Sequence, residues 1–226
     1  MADTPMLRIR AFERPDQDLM DRFRGVPTGF LVDALGRSGG LDYRIRPMWN
    51  SKPFVGSALT VSTTARDNLA PYAALKSARP GDVLVVETGE FDRASVMGDL
   101  IIGMARNCGV VAVVTDGLVR DVEGIEAVGI PVYARGTSPN SPFKNGPGTV
   151  GLPVSLGGVV IEAGDLVLGD RNGVVVAPRA RLKEALAALQ AVTAKEADMD
   201  RAVQGGLRLP AWLDQALADK GVEYID

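Results

Sequence analysis

Residues 82–116 read DVLVVETGEFDRASVMGDLIIGMARNCGVVAVVTD. The two apolar runs in this stretch, DVLVVET from Asp82 and VVAVVTD from Val110, show no polar alternation. Continuous β-branched runs of this length suit strands buried on both faces. The segment between them, Ser95–Asn107, has helical spacing and is closed by Cys108-Gly109. Strand, helix and strand in that order predict parallel strands with a covering helix.

The same rhythm continues on either side. SALTVST from Ser57 predicts a strand, Asn68–Ser77 a helix, and Pro80-Gly81 a turn. Downstream, Asp121–Val128 predicts a short helix closed by Gly129, and PVYAR from Pro131 another strand. From Gly136 to Gly158 the chain is rich in Gly, Pro, Ser and Asn, and Val159–Pro178 then holds short strands. Asn172-Gly173 is a strong hairpin signal. The expected fold class is therefore α/β: a mixed sheet with flanking helices, its parallel part joined to an antiparallel one.

The flanks complete the organisation. An irregular arm precedes a short helix from Asp16, a second helix starts at Thr28 and ends near Gly36, and residues 37–53 read as a loop. After Pro178 a long helix is expected over roughly Ala180–Gln204, broken by Gly205-Gly206, with a last short helix after Pro210. Leu182, Leu186 and Leu189 share one stripe of the long helix, but beyond Val192 the sequence KEADMDR has little to bury. Such an end is expected to pack on a neighbouring subunit. The divisions are residues 1–26 (arm and helix), 27–178 (catalytic α/β domain) and 179–226 (helical extension, extended C-terminal helix included).

Composition narrows the function. A net charge of -3 and a pI near 5.2 argue against a nucleic-acid surface. The single Cys108 cannot form an internal disulfide, which favours a reducing, cytoplasmic setting. The first residues, MADTPMLRIRAFERPDQD, lack the apolar core of a secretory signal. No apolar stretch approaches the roughly 18 residues of a membrane span.

The chemistry gathers around Asp99 and, after twenty residues, Arg120-Asp121. Both positions follow buried strands, where ligands of open α/β sheets collect. Gly98-Asp99 sits near a helix N-terminus, whose free N–H groups attract anions. Asp116 emerges beside them, so one crevice would hold an arginine and three carboxylates. Taken singly, each has a plainer role: Asp99 as a first-turn acid, Asp121 as an N-cap, Arg120 as a surface charge. The chain has no histidine, so any metal must sit among oxygens, which suits Mg²⁺, Mn²⁺ or Ca²⁺ rather than zinc. Other candidates are weaker. Asn145-Gly-Pro-Gly-Thr-Val-Gly has the look of a phosphate cradle without the P-loop ending. Cys108 lacks a base. Lys52, Lys76, Lys144, Lys183, Lys195 and Lys220 lie in polar or loop contexts unsuited to a Schiff base. Asp67-Asn68-Leu69 lines a pocket or caps a helix.

GDLIIGMARNCGVVAVVTDGLVRDVEGI, from Gly98, resembles the signature of the class II pyruvate aldolases for 4-hydroxy-4-methyl-2-oxoglutarate and 4-carboxy-4-hydroxy-2-oxoadipate. That family also contains the regulator of ribonuclease E activity A. The likeness extends through SALTVST, DNLAPYAAL, RPGDVLVV, IPVYARG and LGGVVIEAGDLVLGDRNGVVVAP. It implies a swivelling β/β/α-type domain assembled as homotrimers or homohexamers. It implies Mg²⁺ or Mn²⁺ at Asp121, and Arg120 on the pyruvyl carbonyl and carboxylate. Gly98 and the amides of Leu100 and Ile101 join Arg120 in substrate binding, and Asp99 joins it in catalysis. A neighbouring subunit's C-terminal helix supplies an acid to the metal, here Glu196, with Asp198 and Asp200 as alternatives. The chain departs from the family where a histidine often follows the DNLA segment; it has Pro71-Tyr72 instead.

The implied activity is a retro-aldol cleavage of a 4-hydroxy-2-oxo acid to pyruvate and a second oxo acid, with oxaloacetate decarboxylation through the same enolate. Arg135, Arg44 and Arg46 are open candidates for the substrate's distal carboxylate. The expected partners are a small 2-oxo acid and further copies of the chain, with no nucleic acid and no membrane. Two rival readings are a non-catalytic regulator that binds a ribonuclease, and an enzyme acting on another 2-oxo or 2-hydroxy acid.

Overall fold

The computed structural model describes residues 6–50 and 52–225. Residues 1–5 of the expected arm, Ser51 of the expected loop and Asp226 of the expected extension lie outside them. The chain divides into two compact units, Met1–Leu189 and Gln190–Asp226.

The first unit opens with β1 (Leu7–Ile9), α1 (Gln17–Asp21), α2 (Thr28–Ala34) and β2 (Arg46–Pro47). Next come β3 (Phe54–Thr63), α3 (Leu69–Ala74), β4 (Asp82–Glu87), β5 (Ser95–Met97) and α4 (Asp99–Asn107). β6 (Ala112–Thr115), β7 (Leu118–Val119), α5 (Val122–Val128), β8 (Val132–Ala134) and β9 (Gly136–Thr137) follow. The β-rich section contains β10 (Gly148–Val150), β11 (Val154–Leu156), β12 (Val159–Ile161), β13 (Leu166–Asp170) and β14 (Gly173–Ala177). A 3-10 turn, Arg179–Arg181, leads into α6 (Leu182–Gln204), and α7 (Leu213–Lys220) is the last helix.

The main sheet is mixed. β3, β4, β6 and β8 run parallel in that order. β3 is long enough to pair on its other side with two strands, β13 at Phe54–Ser57 and β10 at Val61–Thr63, both antiparallel. β1 lies parallel to β10, which makes the N-terminal arm a strand of this sheet.

Alternation along the central strands divides the core. Leu59, Val61, Leu84, Val86 and Val113 face α3, α4 and α5, packing on Ala70, Ala74, Ile101, Ile102, Ala105 and Ile125. Ala58, Val83, Val85, Ala112 and Val114 face the other way, onto Val154, Leu156, Ile161, Val167, Val174 and Val176 of the antiparallel section. Each fully buried Val, Leu or Ile contributes roughly 1.5–3 kcal/mol to this arrangement. A third cluster joins Met20, Phe23, Leu31 and Leu35 to Leu166, Leu168 and the leucines Leu182, Leu186 and Leu189 that open α6.

Several local expectations are corrected. The helix read from Ser95 starts at Asp99, because Ser95–Met97 pairs with β7 as a strand and Gly98 is extended at φ -136°. β5, β7 and β9 form a separate three-stranded parallel ladder at the carboxyl ends of the main strands. The β13–β14 hairpin closes through Arg171-Asn172, one residue earlier than the Asn-Gly signal suggests, since Asp170 pairs with Gly173.

In the second unit, α6 ends where Gly205 and Gly206 bond back to Arg201 and Val203. Gly206 has a φ of 93°. α7 is closed by Gly221 in the left-handed region. Among the described residues no helix is long and apolar enough to cross a membrane.

Candidate functional site

The β5–β7–β9 ladder brings the two halves of the motif together. The Arg120 N–H bonds to the Met97 carbonyl at 3.1 Å, which sets the β7 exit beside the first turn of α4. A cavity of about 140 Å³ opens there. Gly98, Asp99, Leu100, Ile101, Arg120 and Asp121 all line it, together with Asn68, Tyr72, Ser141 and Lys144.

Two glycines make the approach possible. A Cβ on Gly98 would lie 2.5 Å from Asp121 Oδ2 and 3.2 Å from Arg120 Cγ. A Cβ on Gly124 would lie 2.5 Å from Asp99 Oδ2. Each carboxylate thus packs against the backbone of the other segment. The spacing of Gly98 before Asp99 and Gly124 after Asp121 is a sequence signal for this interlock.

Arg120 is held at two points. Its Nε lies 3.1 Å from Asp121 Oδ2, and its Nη1 donates to Ser141 Oγ at 2.6 Å. Nη2 makes no bond among the described residues, and Arg120 lines the cavity. Asp121 precedes α5 but makes no side-chain cap bond, and its backbone is left-handed at φ 59°, ψ 51°. That conformation costs a non-glycine residue roughly 1–2 kcal/mol. The N-cap reading of Asp121 is therefore corrected: its carboxylate turns toward Arg120.

Asp99 stands at the start of α4, and its Oδ1 accepts the Leu100 N–H at 2.7 Å. The Leu100 amide, expected to face substrate, is engaged by that carboxylate. The amides of Asp99 and Ile101, in the first helical turn, have no intrahelical partner.

Asp116 does not join the crevice. It is buried and accepts bonds from the Thr88 N–H, the Thr88 hydroxyl and the Glu90 N–H at 2.7, 2.9 and 3.0 Å. Burial pushes its carboxyl above the ordinary carboxylate value against the pull of those donors. The three distal-carboxylate candidates are also engaged elsewhere. Arg44 grips Asp42, whose carboxyl it holds down to about 2; Arg135 pairs with Glu90 at 3.0 Å; Arg46 stacks over Tyr43. The Asn145 stretch leads into β10 rather than a helix, and its Asn145 and Gly148 amides bond to Asp67 Oδ2 and the Met6 carbonyl. It is no phosphate cradle.

Ser141, Tyr72 and Lys144 are the site residues that sequence reading missed or set aside. They lie on, or face, the connection between β9 and β10, whose short flanking strands give no periodicity to read. Glu196, Asp198 and Asp200 belong to the second unit and are exposed on α6. There Asp198 pairs with Arg201 and Asp200 accepts from Gln204.

Among the described residues no group of three or more acidic, thiol or imidazole side chains converges as a ready metal cage. The donor chemistry still fits a cation that keeps most of its water. Asp121 Oδ1 and Asp99 Oδ2 accept no hydrogen bond among the described residues, and Mg²⁺ needs only one or two protein carboxylates.

A family profile described as RraA-like, Aldolase/RraA, matches residues 18–176. A Halalkalibacterium halodurans protein provisionally named 4-hydroxy-4-methyl-2-oxoglutarate aldolase is 35% identical over 202 residues, which is 88% of this chain and 96% of that protein. An uncharacterized protein from Pseudomonas syringae pv. tomato superposes with a TM-score of 0.75 at 26% identity, covering 87% of this chain and 96% of the other. Streptomyces coelicolor RraAS2, described as an unusual member of the RNase ES inhibitor RraA protein family, gives 0.73 at 27% identity, covering 83% and 100%.

Proposed function

Because the chain belongs to the RraA-like, Aldolase/RraA family, we propose that it is a divalent-metal-dependent carbon–carbon lyase. Its substrate is a 4-hydroxy-2-oxo acid, cleaved to pyruvate and a second oxo acid. The observation that carries this reading is Arg120, fixed by Asp121 and Ser141 with donors to spare beside the open first turn of α4. The name of the H. halodurans relative supports the substrate class.

Cleavage removes the proton of the 4-hydroxyl and breaks the C3–C4 bond. The bonding pair moves toward C2 and places negative charge on the 2-oxo oxygen. Arg120 meets that charge; one well-aimed donor is worth about 3 kcal/mol of barrier. Asp99, with a water held between it and Arg120, takes the hydroxyl proton and returns one to C3 of the departing pyruvate. The first-turn amides of α4 receive the C1 carboxylate. Mg²⁺ or Mn²⁺, held by Asp121 and by Glu196 from a second copy of the chain, supplies Lewis-acid polarisation of the 2-oxo acid when bound. The same charge sink serves oxaloacetate, whose lost carbon dioxide leaves an equivalent electron pair.

Asp121→Asn is the decisive variant. Asparagine tolerates the left-handed backbone, so the fold should survive with a Tm within about 2 °C of the wild type. Pyruvate release dependent on added Mg²⁺ or Mn²⁺ should disappear. Undiminished turnover would rule the assignment out. The likeness to RraAS2 favours a second reading, a ribonuclease-binding regulator. Inhibition of a ribonuclease by the purified chain, with no pyruvate formed from any 2-oxo acid, would establish that reading instead.

A further inference from the structure

A second hollow, of about 230 Å³, lies at the other end of the sheet from Arg120. It is bounded by the N-terminal arm after β1 and by the segment that joins α3 to β4, and its polar lining is Arg10, Arg14, Lys76, Ser77 and Arg79. β4 begins at Asp82, so this is the amino end of the parallel strands, whereas the motif lies past their carboxyl ends. Four of the lining side chains are cations and none is an acid, in a chain whose net charge is -3.

One of the four cations is neutralised and locked. Arg14 Nε and Nη2 donate to the two carboxylate oxygens of Asp82, both at 2.7 Å, and Nη2 also reaches the Ser77 carbonyl at 2.9 Å. The guanidinium lies 4.2 Å from the centre of the Phe12 ring. Asp82 Oδ2 takes the Arg79 N–H as well, at 2.8 Å, so this fully buried carboxylate is already saturated. The arm is held as firmly. The Arg10 N–H bonds to the Val150 carbonyl at 2.9 Å, and its Nε to the Gly151 carbonyl at 3.0 Å. Walls braced in this way lose little entropy when something binds between them.

The other three cations are not neutralised. Among the described residues Lys76 Nζ, the Arg79 guanidinium and both Nη atoms of Arg10 make no hydrogen bond or ion pair, and neither does the Ser77 hydroxyl. Glu13, the acid nearest along the arm, lines a different groove with Arg179. Like charges gathered in one concavity repel one another, and an anion relieves the repulsion. Guanidinium forks, an ammonium and a hydroxyl are the donors that hold phosphate oxygens. Three unmatched charges exceed what one phosphate group carries, about -1.5 to -2 near neutral pH, and suit two joined groups.

We propose that this hollow binds a diphosphate group, either the free anion or the diphosphate of a nucleotide. Arg10, Lys76 and Arg79 hold the ligand, beside an Arg14 that Asp82 keeps in place. The site shares no residue with the cavity beside α4, and it stands or falls independently of the lyase reading.

Titration calorimetry of the whole chain with pyrophosphate and with ADP tests this, in buffer freed of divalent ions because diphosphates chelate them. Saturable binding of one equivalent is expected, weakening as salt is raised. Lys76→Gln combined with Arg79→Gln should weaken it about tenfold or more. Arg10→Gln, on the other segment, repeats the test independently. All three side chains are exposed, so these variants should melt as the wild type does. Arg120→Met should leave the affinity within about twofold, which separates this hollow from the cavity beside α4. ADP bound more tightly than pyrophosphate would assign the group to a nucleotide, and ADP bound equally or less tightly to the free anion; either upholds the site. No binding of pyrophosphate or ADP, binding untouched by the double variant, binding lost with Arg120→Met, or tricarballylate bound as tightly would overturn it.

Discussion

Asp116 and Asp121 stand five residues apart, each just past a short strand, and their carboxylates do opposite things. Asp116 is buried, and three donors from the Thr88–Glu90 turn converge on it. It ties the end of β4 to the end of β6. Asp121 has its side chain 45% exposed, caps nothing, and sits in a left-handed conformation beside Arg120. Asp82 and Asp165 follow the first pattern. Asp82 takes the Arg14 guanidinium and the Arg79 amide, and Asp165 the amides of Glu162 and Arg179. An aspartate at either end of a strand is thus locked into the fold or left available according to whether the groups around it consume its lone pairs.

The contrast is sharpest in paired substitutions. Asp121→Asn should remove activity and leave stability alone. Asp116→Asn should do the reverse, since it sets an NH₂ group against donors in a buried site. A loss of about 1–3 kcal/mol in urea unfolding is expected, and a stability near wild type would break the comparison. The pH dependence has a definite sign. Burial raises the folded-state pKa of Asp116 above its unfolded value, so the folded protein binds the extra proton. Its contribution is greatest below the unfolded value and falls as pH rises through the raised one. The stability gap between wild type and Asp116→Asn should therefore narrow from pH 4 upward.

Gly124→Ala probes the interlock at intermediate scale. The substitution should help α5 as a helix by up to about 1 kcal/mol. The new Cβ, however, would displace Asp99 from its place. Because the clash also reaches Asp99 Cβ at 2.7 Å, the start of α4 must move, and lower turnover together with a lower Tm is the expected result; a fully active variant would show that the Asp99 position is not demanding. Arg44→Ala, Arg46→Ala and Arg135→Ala should have the smallest effects, with KM for a diacid changed by less than about twofold because each is engaged outside the cavity.

The sheet was legible because Asp82–Glu87 and Val110–Asp116 are long, apolar and β-branched, and the helices between them carry ordinary start and stop residues. The short ladder of β5, β7 and β9 was not, since two or three residues give periodicity nothing to act on. Its absence from the sequence reading moved the start of α4 and left Asp116 grouped with the motif. The motif itself was readable as a spacing. Lys144 was not: a lysine between Phe143 and Asn145 gives no hint that Asp67, far back in the chain, fastens the loop around it.

That fastening separates two duties. Asp99, Arg120 and Asp121 sit on strand ends and helix starts of the sheet, whereas Ser141, Pro142 and Lys144 of the cavity lining are carried by a tethered loop. Replacements at residues 142–144 should therefore alter the cavity lining while leaving the Ser141–Arg120 bond in place. In such an architecture the pocket is edited at one loop, with no need to rebuild the engine.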